Sequence, residues 1–275
     1  MKDFFTYFFG AAPEGTVEFK TFSMAHLIPI LFMIGVILLI YTQRDRIRQW
    51  SHETAIRYAL GFAMIICEMS YFWRLVGVTS LNPNPVDHLP ITVCGWCVIF
   101  CSYMIVGKSK TLFDIAYFWL FAGTIFALIT PTVITQTGPT RFRYYQFWLE
   151  HTLGYVAVFY MIFVHKFRPT VRSAFKSYGM LVILACVAFF ANEVIGPGAN
   201  YLYMARPEST PSILDMLPPN HTLRIVVMGA IVTTMFFLSY LPWLIMDHKA
   251  KKAAPLVASQ APATECETVE EPACK

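Results

Sequence analysis

The sequence predicts an all-α, polytopic membrane protein: a bundle of seven transmembrane helices, with the N-terminus outside and the C-terminus cytoplasmic. Three observations lead there. The 275 residues are 56% hydrophobic and only 14% charged, against roughly 25% charged in soluble domains. A mean hydropathy of +0.53 places the chain on the membrane side of that divide. Apolar stretches of about 20 residues, each long enough to cross a hydrocarbon core of about 30 Å, recur with short polar connections between them.

In chain order, residues 1–22 form an aromatic segment (Phe4, Phe5, Tyr7, Phe8, Phe9) suited to the membrane interface. It lacks the basic start and long apolar run of a cleavable signal peptide. Apolar segments follow near 23–42, 55–78, 89–107, 112–134, 144–165, 177–196 and 223–246, a single transmembrane domain over 23–248. Basic residues gather on alternate connections: Arg44, Arg46 and Arg48 after the first, Lys108 and Lys110 after the third, Lys166, Arg168 and Arg172 after the fifth, Lys249, Lys251 and Lys252 after the seventh. The positive-inside rule then sets the orientation. The net charge of +4 serves topology, so no nucleic-acid partner is expected; the expected location is the plasma membrane. Two long outer segments, 79–90 and 197–222, are expected to cover something. Residues 249–275, rich in Ala, Pro, Thr and Glu, read as a disordered cytoplasmic tail.

Ionisable groups inside spans cost a few kcal/mol and mark function. His26, Glu68, Cys94, Gln146, Glu150 and His151 all fall in the outer half of the expected spans, with Asn200 in the loop above them. The inner half is nearly bare apart from Asp114. This asymmetry predicts a polar pocket opening outward or into the outer leaflet. The stretch Asn84-Pro-Val-Asp-His-Leu-Pro-Ile-Thr-Val-Cys94 turns from a Pro-rich loop into the third helix, and places Cys94 roughly 6–9 Å below the loop. Arg74 and Asp87 have a plainer reading at headgroup level, and Cys97 and Cys101 as packing. Five cysteines lie in apolar segments and two in the tail, so no disulfide framework is implied. No metal and no cofactor is expected: the CxxC within one helix has no second ligand pair, and GxxxxGK[ST], GxSxG and HExxH are absent. The seventh span has no lysine for a retinal Schiff base.

Several blocks carry a family resemblance: Phe22-Ser23-x-x-His26, Pro90-x-x-x-Cys94, the run from Tyr117 to Pro131, Gln146-Phe147-x-x-x-His151, Arg168-Pro169, Gly198-x-Asn200-Tyr201-x-Tyr203 and Ser212-x-Leu214-Asp215. Across roughly residues 20–225 the chain resembles the YwaF-type integral membrane proteins. It is similar to a eukaryotic transmembrane ether-phospholipid acyltransferase and, more distantly, to transmembrane threonine hydrolases of fatty-acid esters. The resemblance implies a cysteine nucleophile at Cys94 with His151 as its partner, forming a thioester with a fatty acyl group taken from a phospholipid. The chain departs from the family pattern at Thr132, where an acidic residue is usual, and at Thr152, where glycine commonly follows the histidine.

The chemistry stands beside that resemblance. An apolar environment keeps a thiol protonated and inert unless a base removes the proton. An imidazole does this and returns the proton to the leaving hydroxyl. Glu150 or Glu68 is placed to orient it; Thr92, Gln146 or Asn200 is a candidate oxyanion donor. Two other functions use the same residues: a metal-dependent lipid hydrolase built on His26, His88 and His151, and a transporter or ligand-binding protein whose polar residues line a substrate path.

Overall fold

The computed structural model describes residues 2–11, 18–131, 137–206 and 216–260. Among these the regular structure is helical, without strands: α1 (Lys2–Phe9), α2 (Met24–Gln49), α3 (Glu53–Gly77), α4 (Val93–Gly107), α5 (Lys110–Trp119), α6 (Ile125–Ile129), α7 (Phe142–Phe163), α8 (Val171–Ile195) and α9 (His221–Gln260). A helix stands at each of the seven predicted segments, α5 and α6 sharing one of them. Among the described residues five stretches are long and apolar enough to cross a membrane: Met24–Gln49, Glu53–Gly77, Lys110–Ile129, Val171–Ile195 and His221–Lys252. The other two predicted spans correspond to α4 and α7. α4 has 15 residues, roughly 22 Å of helix, and α7 carries Arg143, Gln146, Glu150 and His151. Both are wrapped by neighbours: α4 packs on α3, α5 and α7, and α7 on α2, α3 and α4. A short or polar helix is tolerated in hydrocarbon when protein surrounds it.

Residues 1–240 form one compact unit and residues 241–275 a second. In the second, α9 continues to Gln260, past the boundary expected at 248. The remainder of the expected tail, 261–275, lies outside the described residues, as do Thr132 and the Ser212–Asp215 block.

One boundary is corrected in a way that matters. The third helix was expected from residue 89, which buries Cys94 one and a half turns deep. α4 instead begins at Val93. Pro90 has no N–H to donate and biases Leu89 toward extended backbone. Thr92, at φ −128° and ψ 143°, accepts the Gly95 N–H on its hydroxyl at 3.1 Å and caps the helix. Cys94 therefore lies in the first turn of α4. A second irregularity brings α4 close: between α5 and α6 the helix widens into a π-type turn at Leu120–Thr124. The Leu120 carbonyl accepts from the hydroxyls of Thr124 and Tyr155, each at 2.8 Å. Gly123 in this turn has no side chain to fend off Val93; a Cβ there would stand 2.8 Å from Val93 Cγ1.

Buried ion clusters join the helices at the opposite end of the bundle. Glu53 accepts from Tyr160 Oη (3.0 Å) and His165 Nε2 (2.8 Å) and lies 2.8 Å from Arg57 Nε. Arg57 Nη1 donates to the carbonyls of Ile105 and Val106, each at 2.7 Å. Asp114 accepts from Ser173 Oγ (2.6 Å) and Lys176 Nζ (2.8 Å), and pairs with Lys110. These contacts fasten α3 to α4 and α7, and α5 to α8.

At the loop end, Arg141 anchors the N-terminal segment. It donates to Glu18 through Nη2 (3.1 Å) and to the Tyr7 carbonyl through Nη1 (2.6 Å), its guanidinium lying over the Tyr7 ring. The hydrogen bond from Arg141 holds the Glu18 carboxyl below the usual carboxylate range, helped by the Gly138 N–H and Thr140 and opposed by burial. A depressed folded-state value contributes stability above the unfolded value of about 4.3, and that contribution disappears as pH falls through the folded value. The stability difference between wild type and Glu18→Gln, read by thermal unfolding against pH, is therefore expected to be present at pH 7 and to shrink below about pH 4. A difference independent of pH contradicts the ion pair.

Candidate functional site

A cavity of about 1580 Å³ occupies the bundle, larger than the roughly 300–1,000 Å³ of small-molecule pockets. Its polar wall is formed by Glu68, Tyr71, Cys94, Arg143, Glu150 and His151. The two long loops also line it, and Tyr201 ties them together. Its hydroxyl donates to the Pro85 carbonyl (2.6 Å) and accepts the Leu89 N–H (2.9 Å). Asn192 fixes Tyr201 in turn, accepting its N–H at 2.7 Å and donating to its carbonyl at 3.1 Å.

Cys94 is half-buried at this wall. First-turn amides have no intrahelical acceptor. Thr92 takes that of Gly95, leaving those of Val93 and Cys94 at the helix start, where the macrodipole favours negative charge. Glu68 reaches in beside them: a Cβ on Gly95 would stand 2.5 Å from Glu68 Oε1. Glycine is thus what admits a carboxylate here, and Glu68, 7% exposed, accepts no hydrogen bond from the described residues. Cys97 and Cys101 are fully buried, with their thiols toward the carbonyls of Ala116 and Gly154, as packing predicts.

His151 is buried, with Nδ1 2.7 Å from the Phe147 carbonyl and its ring 4.2 Å from that of Phe147. A carbonyl only accepts, so Nδ1 carries the proton and Nε2 keeps the lone pair. Nε2 is buried and has no partner among the described residues. Leaving such an atom unpaired costs about 1–3 kcal/mol, and a group retained at that cost on a cavity wall points to a task. Glu150, one of the two carboxylates expected to orient the imidazole, is engaged elsewhere. It accepts from Gln146 Nε2 at 2.9 Å and lies 3.9 Å from Arg143. Gln146 stands behind the wall, donating also to the Cys67 carbonyl (3.3 Å) and accepting from Arg143.

Arg143 and Tyr71 join the site without having been singled out from the sequence. Arg143 lies over the Tyr71 ring, 4.7 Å from its centroid, and the Tyr71 hydroxyl meets His88 Nδ1 at 3.0 Å. Burial pushes the His88 imidazole below its ordinary value. Arg143 reads as a loop charge when the helix is started at 144; with α7 starting at Phe142, residues 143, 146, 147 and 150 fall on one face.

Two expected supporting residues have other occupations. His26 is away from the cavity wall, its Nδ1 accepting the Phe22 N–H (2.9 Å) and its Nε2 donating to the Leu128 carbonyl (2.7 Å). Asn200 lines the cavity but serves its own loop: Oδ1 accepts the N–H groups of Ala205 and Arg206, and Nδ2 donates to the Arg206 carbonyl, all at 3.1 Å. Among the described residues no group of three or more His, Cys, Asp or Glu is placed to hold a metal ion.

His26→Ala leaves the Phe22 N–H and the Leu128 carbonyl without partners. The expected loss is about 2–4 kcal/mol of stability, read as a lower melting temperature in detergent, with Cys94 alkylation in the folded fraction unchanged. Unchanged melting together with altered Cys94 alkylation places His26 in the site instead.

Comparison with curated proteins found no match, and neither did comparison with solved structures. A family model does match, over residues 21–240, which takes in every helix of the cavity. The chain is a multi-pass integral membrane protein and belongs to the TMEM164 family, a transmembrane family.

Proposed function

We propose that this protein transfers or hydrolyses a fatty acyl group of a membrane phospholipid, with Cys94 as nucleophile and His151 as general base. The observation that carries the reading is Nε2 of His151, buried and without a partner among the described residues, on the wall that also bears Cys94. In this reading α4 and α7 complete a seven-span bundle with the N-terminus outside and the C-terminus cytoplasmic, in the plasma membrane.

The Cys94 thiol passes its proton to His151 Nε2, and the sulfur attacks the ester carbonyl carbon. The first-turn amides of α4 stabilise the oxyanion that forms. The ester C–O bond breaks, the leaving lysophospholipid oxygen takes the proton from Nε2, and a thioester remains on Cys94. An acceptor hydroxyl, from a second lipid or from water, then gives its proton to Nε2 and attacks the thioester carbonyl. The C–S bond breaks and the sulfur recovers the proton. Phe147 holds the tautomer that keeps Nε2 basic, the role a carboxylate plays in other triads. The largely apolar lining of the cavity lowers the local dielectric, which strengthens each of these electrostatic contacts.

Transport is the second reading, and one feature weighs against it. The far end of the bundle is closed by the Glu53–Arg57–Tyr160–His165 cluster, whose polar groups pair with one another and with backbone carbonyls and do not line the cavity.

The test is incorporation of a fluorescent acyl chain from a labelled phosphatidylcholine into protein reconstituted in vesicles. Incorporation is expected to be hydroxylamine-sensitive, lost in Cys94→Ala and retained in Cys97→Ser. Turnover in Cys94→Ser and in His151→Ala is expected to fall by comparable factors, on the order of several powers of ten, and the double variant by no more than either. Cys97→Ser and Cys101→Ser change stability by about 1 kcal/mol and leave turnover intact. Full turnover in Cys94→Ala overturns the nucleophile.

A further inference from the structure

The cavity extends beyond its polar wall to the flank of the bundle, where α8 and α9 supply its lining. Cys186, Val182 and Phe189 line the cavity and are nonetheless exposed, the last two by 47% and 42%. Side chains that face inward and outward at once mark an opening.

The two helices touch at either end of it. Toward the loops, Phe189 of α8 stacks on His221 of α9 (5.9 Å), and Arg224 Nε ties α9 to the loop after α8 by donating to the Tyr203 carbonyl (2.7 Å). Further along, the Thr233 hydroxyl donates to Tyr178 Oη (3.3 Å), and Phe236 packs on Tyr178 (5.5 Å) and Phe118 (4.9 Å). From Tyr178 to Phe189 is roughly 16 Å of helix. Between those contacts the facing residues are apolar: Val182 and Cys186 on α8, Gly229 and Val232 on α9. A Cβ on Gly229 would meet nothing within 4 Å, so the gap is open there.

Both helices are long and apolar enough to cross a membrane. At this depth the medium outside the gap is hydrocarbon, and an apolar slot open to hydrocarbon is filled by a lipid chain. Its inner end is continuous with the wall that carries Cys94 and His151.

We infer that one acyl chain of a bilayer phospholipid enters the cavity sideways, through the slot between α8 and α9 edged by Val182, Cys186, Gly229 and Val232. The chain's part in catalysis rests on the acyl-transfer reading, but its entry does not need Cys94 to react. The slot admits the chain while the polar headgroup stays with the loops.

The experiment uses full-length protein in phosphatidylcholine vesicles doped with a phosphatidylcholine carrying a diazirine midway along one acyl chain. Photolysis labels any lipid-facing helix, so the informative positions are Trp119 and Ala122, both lining the cavity and only 2% exposed. They are expected to be labelled in wild type and equally in Cys94→Ala. Gly229→Trp, whose side chain enters the open gap, is expected to cut that label at least tenfold while leaving the label on exposed Leu38 unchanged. Bulky maleimide attached to Cys186 after folding, in a Cys94→Ala, Cys266→Ser, Cys274→Ser background, is expected to do the same, and it covers the case in which Gly229→Trp fails to fold. Label at Trp119 and Ala122 that persists in both blocked proteins overturns the slot. So does the absence of that label in wild type while Leu38 is labelled. Acyl incorporation serves as the separate readout: its loss with wall labelling intact counts against Cys94 alone, and its survival without wall labelling means that the chain arrives by another route.

Discussion

A polar group without a partner in hydrocarbon costs several kcal/mol, and pairing such groups decides where the helices of this bundle stand. Glu53 collects Arg57 from its own helix and Tyr160 and His165 from the end of α7 and the turn after it. Asp114 does the same for Lys110, Ser173 and Lys176. His26 joins the start of α2 to the end of α6 through both ring nitrogens. Breaking one such set leaves a charge or carbonyl stranded, which is why each acts as a fastener whatever its net worth against an apolar substitute. The pairing is incomplete in a few places, among them Ser23 Oγ, Trp148 Nε1 and, on the cavity wall, His151 Nε2, each buried and without a partner among the described residues.

The placement of Cys94 follows from small local choices. Pro90 and Thr92 delay the start of α4, so the thiol stands among free first-turn amides rather than deep in a helix interior. Gly95 leaves room for the Glu68 carboxylate, and Gly123 in the π-type turn lets Val93 come close. A shift of α4 by one turn would carry the sulfur away from the wall that holds the imidazole. Preorganisation of this kind, with donors set before charge develops, is what stabilises an oxyanion without reorganising the protein.

Much of this was legible in the residues. The apolar runs locate a helix at every predicted segment, because run length in a membrane is set by bilayer thickness. Cys94, Glu68, Glu150 and His151, picked out as polar groups in the outer half of the spans, line one cavity, and Asn200 of the loop above lines it too. The rest was hidden for identifiable reasons. Leu89 and Ile91 extend the apolar run past the true start of α4, so hydropathy outvoted the Pro90 and Thr92 signals. The group that orients His151 is a backbone carbonyl, which no residue type announces. Both nitrogens of His26 are taken by backbone groups far apart in sequence, a pairing that spacing does not reveal. Arg143 falls one residue outside the span expected from 144, and that masked its place on the α7 face.

Basicity of His151 toward Cys94 is the central claim, and the alkylation rate of Cys94 by a small apolar maleimide measures it without any assumption about substrate. In folded protein, His151→Ala is expected to slow that rate by about 100-fold or more, the lower end of what general-base assistance supplies. An unchanged rate in folded His151→Ala protein contradicts the pairing of this imidazole with this thiol.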